Sequence, residues 1–99
     1  MEAEANHFFY VLKCKDGSYY GGYTIDLERR LSQHNGGTAS KYTRTRRPVE
    51  MIHHESFSTK REAMQAEYWF KKKSRTQKDL YLKERGEEHA HTEKFSACE

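Results

Sequence analysis

Apolar and polar positions change rhythm several times along this chain, and each change marks an element. Residues 7–14, His-Phe-Phe-Tyr-Val-Leu-Lys-Cys, are aromatic and β-branched without a breaker, which predicts a strand. Asp16-Gly17 is a pair that tight hairpins favour, and residues 18–24 follow as a second strand. Gly21 and Gly22 weaken that strand unless the backbone bulges there or something approaches it closely. Asp26 then predicts a helix N-cap, Leu27 and Leu31 recur at helical spacing, and Asn35-Gly36-Gly37 predicts the stop. Residues 38–48 read as a basic, Thr-rich loop ending at Pro48, and residues 49–57 as a third, weaker strand. Thr59 and Glu62 fit a capping box that opens a helix over 60–73, with Ala63, Met64, Ala66, Glu67 and Phe70 facing the sheet. Ser74 and Gln77 fit a second box, opening a final helix that carries Leu80 and Leu82 and closes at Gly86. The order β-β-α-β-α-α predicts an α+β fold, a small antiparallel sheet covered by helices.

Residues 87–99 show no periodicity and are expected to be a disordered acidic tail. Residues 1–6 are expected to be an acidic extension, leaving 7–86 as one domain. With 34% apolar residues the core is lean, and 13% aromatics partly compensate because each buries a large area. No apolar run approaches the ~18 residues of a membrane span. The N-terminus has no basic or apolar signal region. Two cysteines without a C-x-x-C pair point to a reduced, cytoplasmic chain, taken as a monomer.

Charge sharpens this picture. The first six residues carry −2 and residues 86–99 carry −3, so a chain of +3 overall holds +8 between them. Lys41, Arg44, Arg46 and Arg47 form one acid-free basic stretch, and Lys71, Lys72, Lys73, Arg75 and Lys78 a second. A basic middle between acidic ends suits a polyanion partner, because phosphate contacts release counterions; the alternative is a solvated basic surface.

Candidate chemistry is sparse. Tyr10, Tyr19, Tyr20 and Tyr23 crowd the first hairpin, where alternation sends Tyr19 and Tyr20 to opposite faces. Arg30 and His34, four apart, share a helix face and could hold a phosphate, or simply be solvated. Glu67 lies in an apolar stretch, where a carboxylate must reach a rim, pair with an Arg, or bind a cation. Zinc-ligand spacing is absent, since His53-His54 diverge on a strand; Mg²⁺ needs only one or two carboxylates plus phosphate.

These pieces resemble the GIY-YIG nuclease domain. Phe8-Phe9-Tyr10 stands for the first motif and Tyr20-Gly21-Gly22 for the second, followed by Arg30 with His34, and by Glu67 on the next long helix. The stretches 36–50 and 57–63 resemble a small bacterial single-domain subgroup, an uncharacterised protein family related to a structure-specific endonuclease that cuts branched DNA. The resemblance covers residues 7–83 and implies a central three-stranded antiparallel sheet flanked by helices. It also implies hydrolysis of DNA (or RNA) phosphodiesters with one divalent ion, Mg²⁺ or Mn²⁺. On that resemblance Glu67 holds the metal and Arg30 stabilises the phosphoryl oxygens. Tyr10 takes a proton from, or orients, the attacking water, which demands a lowered phenol pKa. Tyr20 and His34 position water and phosphate, with His34 a competing base, and Gly22 allows close backbone approach to substrate or helix. Lys41, Arg44, Arg46, Arg47, Lys71, Lys72 and Arg75 would bind nucleic acid. One departure is that no Asn follows Asn35, where many members carry a late Asn; Gln77 is a candidate substitute. The alternative is a nucleic-acid-binding module with a degenerate site.

Overall fold

The computed structural model describes residues 6–92, with side chains to residue 86. The acidic extension and the last residues of the expected tail lie outside the described residues. Strands β1 (His7–Lys13), β2 (Tyr19–Thr24) and β3 (Glu50–Phe57) form an antiparallel sheet in the order β2-β1-β3. Helix α1 (Leu27–Asn35), a single turn α2 (Lys41–Arg44), α3 (Lys60–Lys72) and α4 (Arg75–Thr92) complete the fold. The expected α+β architecture and three-stranded sheet are as the pattern predicts.

The turns follow their residues. Gly17 takes a positive φ of 86°, and Asp16 Oδ1 accepts from the Ser18 amide and hydroxyl, which closes the β1–β2 hairpin. Asp26 caps α1 by accepting from the Arg29 amide at 3.1 Å. Thr59 caps α3 through the Glu62 amide. Ser74 and Gln77 cap each other reciprocally: the Ser74 amide donates to Gln77 Oε1 at 2.9 Å and the Gln77 amide to Ser74 Oγ at 3.2 Å.

Alternation along β1 divides the core in two. Phe9 and Val11 pack with Phe70 of α3, alongside Tyr81 and Leu82 of α4. Tyr10, Leu12 and Cys14 point the other way, to Val49, Leu27 and Leu31. Burying each such large side chain is worth roughly 1.5–3 kcal/mol, so one strand supplies both layers. A register shift between Val11 and Leu12 pairs them with His53 and Met51, leaving Ile52 as a bulge. His53 then lies on the α4 layer, where Glu55 accepts from His53 Nε2 at 2.8 Å and from the Tyr81 hydroxyl.

Three expectations change. The basic loop is not wholly irregular: Ser40 Oγ accepts from the Thr43 amide, which caps α2. Met64 does not face the sheet, being 45% exposed; it lies off the stripe that Ala63 and Phe70 turn inward. Finally, α4 runs through Gly86 to Thr92, so residues 87–92 are helical rather than tail. Gly86 lacks the positive φ of a glycine stop, unlike Gly37 after α1.

Candidate active site

The layer division explains how the sequence-predicted residues meet. β2 is an edge strand, so α1 reaches it from one face of the sheet and α3 from the other. At that edge stand Gly21 and Gly22. A Cβ on Gly21 would sit 3.3 Å from Phe70 and 3.9 Å from Lys71 Cγ, which lets α3 approach closely. A Cβ on Gly22 would fall 2.5 Å from the Tyr10 hydroxyl. Gly22 is therefore needed to seat the paired Tyr10 ring across the strand, rather than for approach of substrate or helix.

Tyr10 is 2% exposed and His34 1%. The Tyr10 hydroxyl lies 2.8 Å from His34 Nε2, and His34 Nδ1 lies 2.8 Å from Thr43 Oγ1. Thr43 Oγ1 continues to Ser40 Oγ at 3.0 Å. With Nδ1 protonated, every donor runs one way, from Tyr10 O–H to His34 Nε2, from Nδ1–H to Thr43, and from Thr43 to Ser40; this tautomer is assigned from the network. Tyr20 packs edge-on against His34, with ring centroids 5.1 Å apart, and stacks on Tyr42. The expectation that Arg30 and His34 jointly face a phosphate is thereby split. Arg30 is half-buried, while His34 is sealed behind Tyr10 and Tyr20.

Electrostatics follow burial. Desolvation pushes the Tyr10 phenol well above its ordinary range, the neighbouring Tyr20 and Glu67 add to this, and only Arg30 opposes it. The shift is opposite to what a free phenolate base requires, so Tyr10 is a protonated hydrogen-bond donor at neutral pH. Desolvation, helped by Arg30, brings His34 down to about 4, so its imidazole is neutral there. Glu67, with a side chain 19% exposed, pairs with Lys71 Nζ at 2.8 Å. Its partner is a lysine one turn along its own helix, not one of the arginines the sequence offered. Lys71 Nζ also sits 5.7 Å from the Tyr20 ring, which brings this lysine into the site.

The remaining basic residues divide into two groups. Arg46 pairs with Asp16 at 3.0 Å and lies 3.9 Å over the Tyr42 ring. Arg47 donates to the Arg44 and Asn35 carbonyls. Arg75 pairs with Asp79, donates to the Gly17 carbonyl and covers the Tyr19 ring. These three tie loops to the hairpin or to α1. Lys41 and Arg44 are exposed on α2, and Lys72 lies over Tyr68 on α3. Gln77, the candidate for the late Asn, is spent on the α4 cap.

Sequence reasoning missed Thr43, which is fully buried as the partner of His34. Its one signal is a β-branched hydroxyl three residues after the Ser40 cap, too common to single out.

Comparison with known proteins identifies the family. The family described as the GIY-YIG catalytic domain matches residues 6–80. The chain is 65% identical over 80 residues to the UPF0213 protein YazA of Bacillus subtilis, covering 81% of each. It is 60% identical to a UPF0213 protein of Bacillus pumilus, covering 91% of this chain and 96% of that one. Two solution structures are similar. The UPF0213 protein BH0048 from Bacillus halodurans is 41% identical with a TM-score of 0.56, covering 93% of this chain and 98% of that one. The E. faecalis protein EF2693 is 50% identical with a TM-score of 0.56, and all of both chains is covered. On the family match over residues 6–80 and these close relatives, this chain belongs to the GIY-YIG family, among its small UPF0213 proteins.

Proposed function

We propose that this protein is a divalent-metal-dependent endonuclease that hydrolyses phosphodiester bonds of branched or single-stranded DNA. The observation that carries the reading is the one-way hydrogen-bonded chain from Tyr10 through His34 to Thr43, ending at the sheet edge where Arg30 and Glu67 act on the Tyr10 phenol. A buried tyrosine backed by a neutral histidine is costly to build and suits proton transfer.

The donor set fits one hard, hydrated cation. Among the described residues no group of three or more His, Cys, Asp or Glu is placed to hold an ion, so Glu67 would bind one that keeps most of its waters, as Mg²⁺ and Mn²⁺ do. When bound, such an ion supplies stabilisation of phosphate and leaving-group charge. In the free protein Lys71 neutralises Glu67, and that ammonium must yield before the carboxylate can take a cation. Tyr10 accepts a proton from the attacking water while passing its own to His34 Nε2. The phenol therefore never stands as a free anion, which its raised pKa disfavours. Nδ1–H to Thr43 fixes the imidazole orientation and helps hold the imidazolium that results. Negative phosphate nearby favours that imidazolium, and Arg30 stabilises the phosphoryl oxygens. Tyr20 packs edge-on against His34 and shields the imidazole from bulk solvent, while the Tyr10 hydroxyl is the end of the relay that meets the attacking water.

One observation favours a binding module with a degenerate site: Gln77 Oε1 caps α4, which ties the one candidate for the late amide to the helix start. A nicking assay on branched and single-stranded DNA with Mg²⁺ separates the two readings. The nuclease reading expects cleavage by the natural protein, loss of it in Glu67→Gln, and retained DNA binding by that variant. Full cleavage by purified Glu67→Gln would remove Glu67 from the mechanism, and no cleavage by either protein would favour the binding module.

A further inference from the structure

Helix α3 carries more aromatic surface than its packing uses. Ala63 and Phe70 turn inward, whereas Met64, Tyr68 and Trp69 are 45%, 55% and 61% exposed. The Tyr68 and Trp69 rings lie edge to face with centroids 5.3 Å apart, forming one small platform on the outer side of the helix. Lys72 Nζ sits 5.1 Å from the Tyr68 centroid and 3.4 Å from its hydroxyl. The helix and its cap carry Lys60, Arg61, Lys71, Lys72 and Lys73 against Glu62 and Glu67, and Glu67 is already paired with Lys71. Tyr68 directly follows Glu67 on α3.

The charge decides what covers this face. Interfaces between copies of one chain exclude lysine from their centres, and two such faces would bring like charges together. A nucleic acid meets both needs at once, since each base offers a ring to an aromatic face and each phosphate an anion to a lysine. In a duplex the ring faces are stacked within the helix, so only unpaired nucleotides can use the platform.

We propose that Tyr68 and Trp69, with Lys72 beside them, stack unpaired bases next to the phosphate presented to Glu67, so that this protein engages nucleic acid through a single-stranded segment. The proposal rests on the nucleic-acid reading of the site but not on cleavage. Trp69 is the sole tryptophan of the chain, which makes its intrinsic fluorescence a reporter of this one position.

The natural protein is titrated with an oligothymidylate and, separately, with a blunt hairpin duplex of equal phosphate number, without divalent metal. Quenching of Trp69 emission is expected with the single strand and not with the duplex. Labelled-oligonucleotide anisotropy should show Trp69→Ala and Tyr68→Ala weakening single-strand affinity by about five-fold or more. Duplex affinity should be unchanged, and Trp69→Phe should restore most of the loss. Because these titrations contain no divalent metal and read binding alone, failed cleavage and failed stacking are separate results. Absence of quenching, or equal loss of affinity for both substrates, would overturn the proposal. Sedimentation showing a dimer that Trp69→Ala dissociates would assign the face to a second copy and overturn it too.

Discussion

At the scale of single residues, the site depends on what is missing as much as on what is present. Gly22 leaves room for the Tyr10 hydroxyl, which a Cβ would meet at 2.5 Å. Both neighbours of that hydroxyl are fixed, the strand by its pairing and His34 by burial, so neither can yield cheaply. Gly22→Ala should cost about 1–3 kcal/mol of stability, as overpacking does, and should abolish turnover by displacing Tyr10; denaturant melts beside a nicking assay check both. His34 adds a pH dependence. Its folded pKa of about 4 lies below its ordinary value of 6.5, so the unfolded chain binds the extra proton first. Stability that is fully present above pH 6.5 should therefore fall as pH drops toward 4, by up to about 3 kcal/mol. His34→Asn should flatten urea midpoints across that window, and an unchanged slope would place the dependence elsewhere. Tyr10, Tyr20, Arg30, His34 and Glu67 were legible as a set through the family resemblance of their motifs, and Arg30 with His34 also through their helical spacing. Their states were not, because burial of His34, its bond to Thr43 and the pairing of Glu67 with Lys71 arise only when separate segments pack.

Elements were legible where local chemistry alone decides them. Asp26, Thr59 and Ser74 cap as the sequence predicts, and the hairpin turns at Asp16-Gly17. The failures have a common cause in long-range contacts. Met64 has the apolar character of a core residue, yet the sheet covers only the stripe of α3 that holds Ala63, Ala66 and Phe70. Arg46, Arg47 and Arg75, expected from charge to meet phosphate, also tie α1, the hairpin and α4 together, a role that charge alone does not reveal. Gly86 looked like a stop. In the structure a Cβ there meets nothing within 4 Å and the φ is not positive, so the residue is an ordinary helical position. Gly86→Ala should accordingly stabilise the protein by up to about 1 kcal/mol. A lowered melting temperature in this variant would mean that glycine ends the helix after all.

Across the whole molecule, the division of the core by β1 is what makes a site possible. One layer carries Arg30 and His34, the other carries Glu67 and Lys71, and the edge strand β2 is narrow enough at Gly21 and Gly22 for both layers to meet around it. The same edge is flanked by exposed Lys41 and Arg44 of α2 on one side and by the lysines of α3 on the other. The basic residues of the middle of the chain are therefore gathered in space, while in the sequence Glu87, Glu88, Glu93 and Glu99 follow them. Those acids lower the net positive charge that a polyanion would meet. Changing all four to Gln keeps the length of the chain and raises the formal charge from +3 by four. DNA should then bind more tightly at about 50 mM salt, while the two proteins should converge toward 0.5 M salt (on the order of a 4 Å Debye length), where distant charges are screened. Anisotropy titrations across that range read the difference directly. Equal affinities at low salt would mean that these acids do not compete with DNA for the basic surface. A gain that persists undiminished at high salt would mean that they touch it.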